Sequence, residues 1–304
     1  MKTKPANLSV ELGFLCLLAL LWGSSYLFIK VAVSEIPPLT LIATRVSVAA
    51  VLLMAVVIWR GDTLPRDGRT WRALLVQSIF NSIGAWTLLA WGQQYVDSGL
   101  AGVLNSTSPL FVFLFTVLIT RHESTDLRKL FGALLGLAGV VLIIGVDVLA
   151  GLGQQVAGQL AAVTSAAMYA AAAIYGRRFA HISAPVTAVG TILWGVAVLV
   201  PAALIWDRPW TLDPSATAIG AAVLLGLFCT GLALMIYFRL IQTLGSLGTA
   251  SQAYLRAGVS VFLGIVFLGE EVTALVGAGL LAAIAGVAAI NLPVRPNAKS
   301  QQMD

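Results

Sequence analysis

Charge is what this chain has least of. Lysine, arginine, aspartate and glutamate make up 10% of its 304 residues against 59% hydrophobic, and the mean hydropathy is +0.94. A soluble domain carries about 25% charged residues, so the composition excludes one and requires a membrane protein. Acids are the scarcer sign, 13 against 18 Lys and Arg, and none falls in the central part of an apolar segment. Histidine and cysteine number two each. His122 and His181 stand at segment ends, while Cys16 and Cys229 lie inside apolar segments and give no disulfide framework. The chain thus lacks the paired acids, the His-Glu-x-x-His motif and the base-activated nucleophile that an intramembrane enzyme acting on lipids or peptides needs. That enzyme is the alternative to a carrier, and the weaker one. No catalytic residue, metal site or cofactor is expected. The pI near 9.5 would suggest nucleic acid in a soluble chain, but basic residues flanking apolar segments are the ordinary signature of membrane orientation. The expected partners are a small-molecule substrate and membrane lipid, with no nucleic acid, and the expected state is a monomer.

Long polar connections are also missing. Windows of about 20 residues place ten apolar segments at 12–33, 37–59, 71–94, 98–120, 126–146, 157–178, 185–206, 216–240, 247–269 and 272–292. Breakers or charges separate them, such as Pro37-Pro38, Asp62 to Asp67, Asp207 to Pro214 and Glu270-Glu271, and no soluble domain fits between. Lys2 and Lys4 before an apolar run resemble a signal peptide. The run outlasts the ~7–15 residues of such a peptide and no small-x-small site closes it, so it reads as the first membrane helix. With the N-terminus inside, fourteen Lys and Arg fall on the inner side and only Lys30 and Arg208 on the outer, leaving Arg45 and Arg256 within the membrane. Positive loops stay cytoplasmic, which puts both termini of this multi-pass protein there.

The halves repeat. An offset of 147 sets Trp22 on Tyr169, Lys30 on Arg177, Gly132 on Gly279 and Gly139 on Gly286, and 148 sets Asn105 on Ala253 and Pro109 on Ala257. A duplicated five-helix unit follows: residues 1–146, an external linker at 147–157, and residues 158–304. Five is odd, so the copy enters the membrane from the opposite side and the repeats are inverted. The expected fold is all-α, ten transmembrane helices in two inverted five-helix repeats.

Ser251 to Glu271 and its counterpart Val103 to Glu123 are the expected working centre. Near mid-depth stand Trp22 with Ser24, Asn81, Trp86, Asn105, Ser108, Tyr169, Gln252, Tyr254 and Arg256. All but Ser24 are taken as candidate substrate-binding residues, since aromatics with an amide or hydroxyl handle can line a cavity and still satisfy hydrogen bonds. Each alone could equally bond a neighbouring helix. Arg256 is sharper, because a charge at bilayer depth costs roughly 3 kcal/mol on insertion scales. A substrate carboxylate, free backbone carbonyls, an aromatic face or penetrating water could each answer it. Arg45 faces the same choice and is read as a structural charge. Gly132, Gly136 and Gly139, with Gly277, Gly279 and Gly286, read as close-packing residues between the last helices of the repeats.

Leu-Trp-Gly-Ser-Ser at 21–25 with Lys30 beyond it, Pro37-Pro38 leading to Arg45, Ser108-Pro109-Leu110, Tyr254-Leu255 followed by Leu263-Gly264 and Leu268-Gly269-Glu270, and the closing Gly139-Val140 and Gly286-Val287 together resemble the EamA-type branch of the drug/metabolite transporter superfamily. The resemblance spans nearly the whole chain and implies a ten-helix carrier that moves amino acids or related metabolites, most often outward. It is similar in particular to bacterial amino-acid exporters, the aromatic type included. Ala257 replaces the usual proline of segment nine and Arg121-His122 the Gly-Glu ending of segment four, which puts a bend and an acidic end-group in doubt.

Overall fold

The computed structural model describes residues 7–96, 98–120, 127–145, 149, 152–256, 258, 259 and 274–292. Among them nine helical spans are long and apolar enough to cross a membrane. Nine of the ten expected segments are thereby met. The remaining one, 247–269, is described only to residue 259, and Ala257, Arg121-His122 and Leu263 to Glu271 lie outside the described residues.

Helix is the only open-ended structure that satisfies its own backbone in hydrocarbon, and local chemistry sets where each helix starts. α1 (Leu8–Val33) begins four residues earlier than hydropathy suggests because the Asn7 side chain accepts from Ser9 N. α2 (Pro38–Trp59) and α9 (Ala184–Trp206) carry proline in their first turn, where a missing N–H costs nothing. Asp67 caps α3 (Gly68–Ser78) and Ser215 caps α10 (Ala216–Gly226).

The third and eighth spans are not continuous α-helices. A π-helical turn, Ile79–Ile83, separates α3 from α4 (Gly84–Gly92), and another, Leu227–Leu232, separates α10 from α11 (Ala233–Thr243). The two turns start 148 residues apart, the repeat offset. The fourth span breaks between α5 (Ser98–Asn105) and α6 (Ser108–Phe115), just ahead of Pro109. The ninth begins as α12 (Gly245–Ala250), which Gly245 enters at φ 77°, a left-handed value that favours glycine. It tightens at Ser251, which keeps helical φ −61° and ψ −17° and whose carbonyl accepts from Tyr254 N, three residues on, at 3.1 Å.

Packing follows the same exchange between halves. α1 lies on α10 and α11, while its counterpart α8 (Val156–Gly176) lies on α4; α2 pairs with α9, and α7 (Leu127–Ile144) pairs with α13 (Ala274–Asn291). The two self-pairs are antiparallel. At one end of α2 and α9, Thr40 N and Oγ1 donate to Asp207 at 2.8 and 2.9 Å; at the other, Ser183 Oγ donates to Asp62 at 3.1 Å. On α7 and α13 the repeat offset equates Gly132 with Gly279 and Gly139 with Gly286, but across the interface Gly132 meets Gly286 and Gly139 meets Gly279. A Cβ at Gly139 would sit 2.6 Å from Ala283 N, so these helices touch through backbone. Large apolar side chains such as Val51, Ile119 and Leu281 point outward, as lipid-facing residues do.

Candidate substrate cavity

Two small neighbouring chambers lie where the halves meet. Trp22, Ser25, Arg45, Trp86, Gln93, Tyr169 and Arg256, with Ile29, Leu41, Ile42, Leu89, Ala90 and Leu225, line the first. About 50 Å³ of it is open to the centre of a water molecule, room for a few waters. The second, about 20 Å³, is lined by Trp22, Ser108, Tyr169, Ala173, Tyr237, Ala250, Gln252 and Arg256. Trp22, Tyr169 and Arg256 border both. The Trp22 ring stands 6.5 Å from Tyr169 and 5.3 Å from Tyr237, centroid to centroid, tilted against each.

The π-helical turn of the eighth span anchors this wall. Its Cys229 carbonyl accepts from Trp22 Nε1 at 3.0 Å and from Arg45 Nη2 at 3.3 Å, so two other spans are fixed to one backbone atom. Arg45 Nε donates to Thr230 Oγ1, whose own hydroxyl donates to Leu225 O. The guanidinium lies 4.1 Å over the Trp86 ring, a cation–π contact. Arg45 thus has partners on two other spans and also lines the first chamber.

Arg256 donates from Nη2 to Asn105 Oδ1 at 3.1 Å. This bond joins the fourth and ninth spans, the two expected to face each other. Asn105 is wholly buried behind the guanidinium, with Nδ2 left without a partner. Gln252, one turn before Arg256, points an unpartnered Oε1, and Tyr237 an unpartnered hydroxyl, within the lining of the second chamber. Buried polar atoms are rarely left so unless a ligand or water answers them.

Two of the expected residues stand elsewhere. Tyr254 is wholly buried between the ninth span and α7, its hydroxyl donating to Ala133 O at 2.8 Å and its ring filling the notch at Gly136. Asn81, in the π-helical turn of the third span, is equally buried and lines neither chamber, with both side-chain polar atoms unpartnered. Sequence reasoning missed Ser25, Gln93 and Tyr237 as lining residues. Nothing in the sequence marks Tyr237 or Gln93 as lining residues.

Among the described residues no carboxylate lines either chamber. Glu11, buried in the first turn of α1, accepts from Arg239 Nη2 at 2.7 Å and Nε at 3.3 Å and from Thr243 Oγ1 at 2.9 Å, closing α1 onto α11.

Comparison with known proteins now bears on this architecture. The model of the EamA-like transporter family matches twice, at residues 10–145 and 156–292. YedA of Escherichia coli K12, an uncharacterized inner membrane transporter, is 29% identical over 263 residues, 86% of this chain and 84% of its own. The uncharacterized transporter YoaV of Bacillus subtilis 168 is 25% identical over 280 residues, 91% and 95%. A crystal structure described only as that of a protein shares the fold, with a TM-score of 0.81 and 21% identity over 96% of this chain and all of that one. With two repeats of one transporter family covering most of its length and both of them lining the chambers, this multi-pass membrane protein belongs to the EamA-like transporter family.

Proposed function

We propose that the protein is a secondary carrier that exports amino acids, aromatic ones among them, or related small metabolites by alternating access through the two chambers. The observation that carries this reading is one guanidinium, Arg256, facing a cavity walled by Trp22, Trp86 and Tyr169. A planar, permanently charged group suits a carboxylate, and the rings suit an apolar or aromatic side chain. The antiparallel pairing of α2 with α9 and of α7 with α13 supports inverted repeats, the arrangement in which rocking one repeat against the other exposes a central site to each side in turn. Trp59 and Trp206, equivalent by the repeat offset and highly exposed at the ends of α2 and α9, suit anchors at opposite membrane faces. The excess of Lys and Arg on one side supports cytoplasmic termini, and the E. coli relative's inner membrane extends naturally to this chain. The enzyme alternative falls with membership of a transporter family.

The test is flux in proteoliposomes over a panel of amino acids, amines and carboxylates. Arg256→Lys keeps the charge and loses the fork, so carboxylate cargo should weaken more than a carboxylate-free amine. Equal loss for both, or a cysteine at 256 that never reacts with an aqueous thiol reagent, refutes the reading.

A further inference from the structure

We propose that the first chamber is an anion receptor with two guanidinium positions, Arg45 and Arg256, and that the cargo carries a net negative charge. This rests on the carrier reading above and narrows it. The class is an aromatic or planar carboxylate whose nitrogen, where present, is uncharged, as in N-acylated amino acids and 2-oxo acids.

Both arginines line the same chamber, and no carboxylate among the described residues does. The partners of Arg45 are a hydroxyl, a backbone carbonyl and an indole ring, all neutral. They use Nε and Nη2. Nη1, with two further N–H groups, makes no hydrogen bond among the described residues. Gln93 adds Nε2, a buried donor without a partner, to the same lining. The uncommitted polar groups here are thus mainly donors, and they surround an aromatic slot formed by Trp22, Trp86 and Tyr169. A zwitterion could place its carboxylate on either guanidinium, but its ammonium would then share the chamber with two fixed positive charges and, among the described residues, only neutral acceptors. Burying an unanswered charge is costly. A monoanion avoids that cost and offsets one of the two positive charges.

The charge has a consequence for energetics. A net anion leaving a cell with an inside-negative membrane moves down the potential, so export needs no proton-carrying acid at mid-depth.

The full-length protein in proteoliposomes, with potassium diffusion potentials of either sign, tests this with N-acetylphenylalanine, phenylalanine and phenethylamine as probes. N-acetylphenylalanine should move about tenfold faster than phenylalanine, a ~1.4 kcal/mol difference, with its rate rising or falling with the sign of the potential. Phenethylamine should be the slowest of the three. Phenylalanine moving as fast as or faster than its N-acetyl form, or N-acetylphenylalanine flux indifferent to potential, overturns the inference and leaves the carrier reading standing. Flux of none of the panel removes both. Gln93→Leu, which keeps both arginines, should slow N-acetylphenylalanine several-fold and keep its potential dependence. Arg45→Gln, where it folds, should abolish the preference for the N-acetyl form; a folded Arg45→Gln protein that retains the preference counts against the second position.

Discussion

Gly136 and Tyr254 offer a quantitative check on how the ninth span is seated. A Cβ built on Gly136 would lie 2.3 Å from Tyr254 Cδ2 and 2.5 Å from Cε2. The ring has nowhere to retreat, since Tyr254 is wholly buried and its hydroxyl is tied to Ala133 O, one turn back on the same helix. Overpacking of this kind costs about 1–3 kcal/mol, and the better helix propensity of alanine returns up to about 1 kcal/mol, so Gly136→Ala should destabilise by about 1–2 kcal/mol. Tyr254→Leu should cost about 2–4 kcal/mol from lost contact and cavity. In the double variant the new methyl enters space the ring has left. The double should therefore be less damaged than the sum by about 1–2 kcal/mol. Reversible denaturation of the four proteins in mixed micelles measures the cycle. Additivity within about 0.5 kcal/mol would refute the notch, and with it the assignment of Tyr254 to packing.

Two further outcomes follow from the acids. Ser215 N and Oγ donate to the Glu35 carboxylate at 2.6 and 2.8 Å, holding it below the ordinary glutamate value of 4.5. A depressed carboxylate contributes stability that is present above the ordinary value and is lost as pH falls through the lowered one. Amide exchange at Ala218, corrected for its intrinsic rate, should accelerate over that interval, and Glu35→Gln should remove the dependence; an unchanged profile in the variant contradicts the tie. With no acid lining either chamber among the described residues and Glu11 committed to Arg239 and Thr243, an imposed pH gradient should not concentrate cargo in proteoliposomes. Accumulation against the cargo's own gradient would instead point to Glu11 or Glu35 as a proton carrier.

The spans were legible in the sequence because a bilayer imposes length and hydropathy on every one of them. Duplication was legible too, as glycines recurring at a fixed offset, and the antiparallel crossing of Gly132 with Gly286 explains why small residues are needed at both places. Residue facing was less so. Arg45 reads as a structural charge because periodicity does not tell which neighbour a helix face meets, and its dual position depends on the Cys229 carbonyl and the Trp86 ring on two other spans. Tyr254 reads as cavity-lining for the converse reason: a hydroxyl at mid-depth signals that a partner exists, without saying that the partner is Ala133 O. The π-helical turns left no trace at all, since an i→i+5 bond adds a residue to a turn without altering the apolar character of its side chains.

Those same turns change the phase of their helices. An i→i+5 turn accommodates one residue more than the α-helix around it, so every side chain beyond it is rotated from where a straight helix would carry it. Ile79–Ile83 and Leu227–Leu232 begin at matching positions of the two halves, though one now presents an unpartnered asparagine and the other a carbonyl holding an arginine and a tryptophan. The same local device thus sits at the same register in both halves and is put to a different use in each.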